Sequence, residues 1–120
     1  MGVWDGSQTL LDSVTVDGSG SVVGGWIYAS VTPFTVSPGE TYTIGALYVT
    51  QDSDWYISSA TSMTTDPGVT WIESVYPTAG ELGFVYPELS STSFGRFGPN
   101  FMFETLALQQ STWGEIKATF

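Results

Sequence analysis

Asp52 and Asp54 flank a single serine and run directly into Trp55-Tyr56. Alternate residues of an extended segment share a face. These two carboxylates are therefore the pair best placed for acid–base work or for holding a cation. Glycoside hydrolysis needs two carboxylates about 5–9.5 Å apart across a cleft. The chain has twelve acids, so pairs at this spacing arise by chance, and a solvated loop is the plainer reading. The chain has no Cys and no His, which leaves only oxygen ligands and makes calcium the one metal to consider. Asp5, Asp12 and Asp17 are further oxygen donors, but no EF-hand loop is present. Serines are plentiful, yet none has a histidine base. A Ser–Lys pair would have to use Lys117, near the C-terminus. A hydrolase is the least favoured reading, and the expectation is a protein that is not an enzyme.

Aromatic side chains offer a second chemistry. Sugar rings stack on flat apolar surfaces beside a few polar groups, and five Trp and six Tyr supply such surfaces. Trp55 and Tyr56, next to Asp52 and Asp54, form the best candidate platform, and Trp71 and Tyr76 the next. Trp4 and Trp26 lie in alternating strand patterns and are expected in the core.

The charge balance narrows the partners. Twelve acids face only Arg96 and Lys117, a formal net charge of −10. Such a chain repels nucleic acid and anionic lipid surfaces. The acidity by itself speaks first for solubility. Charged residues make up only 12% of the chain, and polarity comes instead from Ser, Thr and Gly. No apolar run is long enough to span a membrane as a helix. Residues 1–5 do not form a signal peptide.

The elements that must position these residues are strands. Leu10 to Val16 alternates apolar and polar residues and ends at Asp17-Gly18-Ser19-Gly20, a strand and a turn. Gly25 to Val31 reads as the next strand, interrupted at Pro33. Ser37-Pro38-Gly39-Glu40 reads as a turn. Thr41 to Thr50 has the composition of a central strand. Val69 to Val75 and Leu82 to Tyr86 read as strands separated by a loop at Pro77 to Gly80, and Asp66-Pro67-Gly68 as another turn. A loop over Ser90 to Pro99 precedes a late strand from Asn100 to Thr105, with Phe101 and Phe103 on one face. Seven or eight short strands with regular turn signals predict an all-β fold, an antiparallel β-sandwich of jelly-roll type. Residues 1–110 form that domain, and residues 111–120 a tail that docks or is exchanged.

Several of these runs resemble a known family. Val3-Trp4-Asp5, then Gly6-Ser7-Gln8-Thr9-Leu10-Leu11 and Ser13-Val14-Thr15-Val16, resemble the opening of bacterial exported β-sandwich domains of unassigned function, of the DUF4082-like and PEP-CTERM-protein types. Gly25-Trp26, Thr32-Pro33-Phe34-Thr35-Val36 and Pro38 to Ala46 are similar to its continuation, and Phe97-Gly98-Pro99-Asn100-Phe101 to a late motif. The resemblance covers roughly residues 2–103 and departs at Asp12, where a small residue is usual. It implies an exported sandwich, and it carries no catalytic residues. It also implies strands ahead of Val3. Their absence predicts an open edge at Val3 and Trp4, to be filled by a strand from another copy. The segment carrying Trp113, Ile116 and Phe120 is one source of that strand.

The expectation is thus an extracellular or cell-surface structural or adhesive module that associates with itself as an oligomer or filament. The alternative is a carbohydrate-binding module for cell-surface polysaccharide.

Overall fold

A computed structural model describes residues 1–48, 60–92 and 100–103. Every regular element among them is a β-strand: β1 (Gly2–Trp4), β2 (Leu10–Ser13), β3 (Ser21–Val23), β4 (Trp26–Tyr28), β5 (Thr43–Gly45), β6 (Ser74–Tyr76) and β7 (Leu89–Ser91). All pairings are antiparallel. They form a three-stranded sheet in the order β2-β1-β5 and two hairpin-like pairs, β3-β4 and β6-β7. The all-β expectation holds.

Asp5 organises the first connection. Its carboxylate accepts the N–H groups of Ser7 and Thr9, each at 2.9 Å, while its own N–H donates to the Thr9 carbonyl at 3.0 Å. A carboxylate that satisfies the loop's donors in this way takes the place of ladder bonds the turn cannot make. Gln8 completes the turn in the left-handed region, at φ 65°. The register then slips: Val3 faces Asp12 but Trp4 faces Leu10, so Leu11 is the extra residue of a bulge. Both Leu10 and Leu11 are exposed in consequence, and the alternation that marks them as half-buried applies only from Asp12 onward.

The core sits under β1. Trp4 is 5% exposed and is the one buried large hydrophobic residue among the described ones. Its indole packs on Phe84 at a centroid distance of 5.4 Å and edge-on to Tyr86 at 6.1 Å. Gly2 and Gly45 are register partners on β1 and β5. A Cβ at Gly2 would lie 3.1 Å from the Trp4 ring and 2.6 Å from Phe84 Cζ, and one at Gly45 would lie 3.2 Å from Trp4. Two bare backbones therefore make the floor on which the indole rests. Tyr86 also comes within 3.4 Å of Thr43 Oγ1 through its hydroxyl, tying this cluster to β5.

Three turns stand where the sequence places them, and a fourth lies at the end of the stretch read as a loop, Pro77 to Gly80. The Asp17 carbonyl accepts from Gly20, Ser37 from Glu40, Asp66 from Val69 and Thr78 from Glu81.

Several strands differ from expectation. Of the 41–50 segment, the described residues 41–48 form a strand over Thr43–Gly45, which is an outer strand of the described sheet; the central position belongs to β1. Strand β6 covers Ser74–Tyr76, so only its first two residues fall in the expected 69–75 range. Residues 82–86 are not a strand, because Glu81 turns the chain by accepting the Gly83 N–H at 2.7 Å. Strand β7 falls at Leu89–Ser91, in and beside a stretch read as loop. Phe101 and Phe103 do approach each other, with centroids 5.9 Å apart, but without strand pairing over 100–103.

Candidate interaction surface

Trp26 was expected inside and is 42% exposed. It sits in the β3-β4 hairpin, where Val22 is 69% exposed and Val23 49%. Val23 pairs with Trp26, Val22 with Ile27 and Ser21 with Tyr28. The connecting residues, Gly24 and Gly25, have φ of 57° and 86°, the left-handed pair that a type I′ turn requires and that glycine adopts without steric cost. Side chains alternate across the ribbon. Val22 and Ile27 occupy one face, and Val23 and Trp26 the other. All four residues are exposed, those on β3 more than those on β4.

The hairpin is anchored at its base. The Asp12 carboxylate accepts the Thr32 N–H at 3.0 Å, and Asn100 donates to the Tyr28 hydroxyl at 3.1 Å. Both anchors lie on the β4 side, and among the described residues β3 is the freer strand.

The charge distribution singles out the same region. Residues 18–39 contain no charged side chain, the longest such stretch in a chain of net charge −10. Asp17 closes it at one end and Glu40 at the other. The Ser19 hydroxyl and then the Ser19 N–H, both donating to Asp17, hold its carboxyl below the usual carboxylate range. The β6-β7 pair is different: Glu73 and Pro77 flank β6, and Pro87 and Glu88 precede β7. Charge and proline beside a strand protect its edge from pairing. The β3-β4 hairpin has neither.

The other predicted residues fall as follows. Val3 and Trp4 lie on the central strand β1, paired on both sides, so the open edge expected there is absent. Trp71 is half-buried ahead of β6. Tyr76, also half-buried, ends β6 opposite Leu89. Asp52, Asp54, Trp55, Tyr56, Trp113, Ile116 and Phe120 lie outside the described residues. Asp5, Asp12 and Asp17 each bond to local backbone, and no group of three acids capable of holding a metal occurs among the described residues. An open cleft of about 240 Å³ is lined by Thr78, Glu81, Val85, Tyr86 and Glu88. It brings together two carboxylates and two hydroxyls, a polar recess in which Glu81 is already engaged with Gly83.

The sequence reading missed β3. Ser21-Val22-Val23 is short, and its signal was the Gly-Gly dipeptide between two apolar pairs, a hairpin signature in its own right. The chain matches no protein-family model, no curated protein and no solved structure.

Proposed function

We propose that this chain is a non-enzymatic structural or adhesive module that works outside the cell by associating with itself. One observation carries the reading: among the described residues a single large hydrophobic side chain is buried, while nineteen are exposed. Monomeric soluble proteins rarely leave contiguous apolar surface of more than a few hundred Å² uncovered. Val22, Val23, Trp26 and Ile27 are adjacent members of the exposed set, and covering such surface is worth about 25 cal/mol per Å², which supports another chain as the occupant. The reading takes the antiparallel sheets as parts of a sandwich, as the resemblance to exported bacterial domains implies, and takes export from the same source. Among the described residues the carbohydrate-binding alternative has weaker support, since Trp71 and Tyr76 are half-buried rather than displayed, while Trp55 and Tyr56 lie outside them.

Light scattering across a concentration series tests the proposal. The expected result is a mass that rises in multiples of 12.9 kDa. Ten net negative charges oppose the approach of copies, so added salt should strengthen association by screening. A mass fixed at one chain, together with a sugar-dependent change in tryptophan fluorescence, would replace this reading with the carbohydrate-binding one.

A further inference from the structure

We infer that the partner is a second copy of this chain, and that two copies join through strand β3, edge to edge and antiparallel, about a twofold axis at Val22. The inference rests on the self-association reading and names its surface. In a two-residue hairpin the pair flanking the turn, here Val23 and Trp26, exchanges both ladder bonds. The next pair, Val22 and Ile27, therefore turns its N–H and C=O outward. No described strand pairs with either outer edge. At the β3 edge Val22 offers one donor and one acceptor. Two such residues related by a twofold satisfy each other completely, which makes the contact self-complementary.

Three further observations favour this occupant. The strand lies within the charge-free stretch 18–39, where two copies of net charge −10 meet with the least like-charge opposition. Among the described residues the β4 side carries both anchors to the rest of the chain, so β3 is the more accessible edge. Finally, pairing at Val22 lines up Ile27, Val22, Val22 and Ile27 across one face of a four-stranded sheet. That turns a two-stranded ribbon, marginal on its own in water, into one with a continuous apolar face.

The test is Val22→Lys beside Val22→Thr, both in the full chain. Val22 is 69% exposed, so either side chain fits the separated chain. Lysine on an edge strand opposes pairing, whereas threonine retains strand preference. Sedimentation should give the wild type and Val22→Thr twice the single-chain mass, and Val22→Lys the single-chain mass. Hydrogen exchange of the wild type, which involves no substitution, should show the Val22 amide slowed at least tenfold between dilute and concentrated samples. Association of Val22→Lys equal to wild type, with the Val22 amide indifferent to concentration, overturns this assignment while leaving self-association standing. A wild type that remains a single chain at every concentration overturns both.

Discussion

Trp4 and Trp26 sit in strands of the same length, each close to a pair of glycines, and their environments are opposite. Around Trp4 the glycines belong to neighbouring strands and leave room for the ring: Gly2 and Gly45 face each other beneath the indole, and Phe84 and Tyr86 close over it. Beside Trp26 the glycines are consecutive and make the turn, and among the described residues no third strand pairs with that hairpin. A tryptophan is buried by what the long-range pairing brings to it, and its local pattern carries little of that information. The same contrast separates, among the described residues, a cluster built around a buried indole from a ribbon whose apolar side chains are exposed.

Truncating the two tryptophans is the sharpest way to break the comparison. Trp4→Ala removes the centre of the cluster and should cost about 3–5 kcal/mol of unfolding free energy, the usual range for a buried aromatic. Trp26→Ala in dilute, dissociated protein should cost about 1 kcal/mol or less, since much of that ring already meets water. Urea denaturation of both variants at low concentration decides the matter. Equal costs would mean that the hairpin is covered within the single chain.

The glycines allow a finer separation. An alanine Cβ at Gly2 would stand 2.6 Å from Phe84 Cζ and 3.1 Å from both Leu10 Cδ1 and the Trp4 ring, so the cluster must open to admit it. Gly2→Ala should cost about 1–3 kcal/mol, as overpacking does, and it should change the near-ultraviolet signal of Trp4. Gly25→Ala meets nothing within 4 Å. Its penalty comes from the left-handed backbone, about 1–2 kcal/mol, and falls on the hairpin alone. Circular dichroism of the aromatic region should therefore move more for the first variant than for the second, where it reports only the exposed Trp26 and its hairpin, while association weakens only for the second.

How much of this was legible in the sequence follows from the range of each interaction. Turns are local: the Asp17, Ser37, Asp66 and Thr78 carbonyls each accept a bond from three residues on, and the turn-forming residues announce the first three as turns and the fourth as a loop. Strand class is nearly as local, because alternation and β-branched composition are read within a few residues. Sheet order is not. β1 lies between β2 and β5 because Gly2 meets Gly45 across some forty residues, and nothing near either glycine specifies the other. The bulge at Leu11 likewise depends on the partner strand, so the alternation from Leu10 to Val16 misplaced its first two leucines. The candidate surface was visible in part. The charge-free stretch and the Gly-Gly turn can both be read directly, but the exposure of Val22 and Trp26 requires coordinates.

The smallest expected effect lies at the border between the two regions. Asp17 ends the neutral stretch, and its carboxyl is held below the usual range by the Ser19 hydroxyl and, second, by the Ser19 N–H. A depressed folded value stabilises the turn above the ordinary carboxylate range, and that contribution disappears as pH falls through the lowered value. The carboxylate is exposed, so the change in global stability should be slight, and a carbonyl-detected titration of Asp17 by nuclear magnetic resonance is the suitable probe. The midpoint should lie below that of Asp in the unfolded chain and should return toward it in Ser19→Ala. Protonating Asp17 also removes the nearest charge ahead of β3. If the hairpin edge is where copies meet, association should strengthen as pH falls through this titration. Asp17→Asn should show, at neutral pH, a modest part of that gain, because it removes the same charge without protonating the other acids.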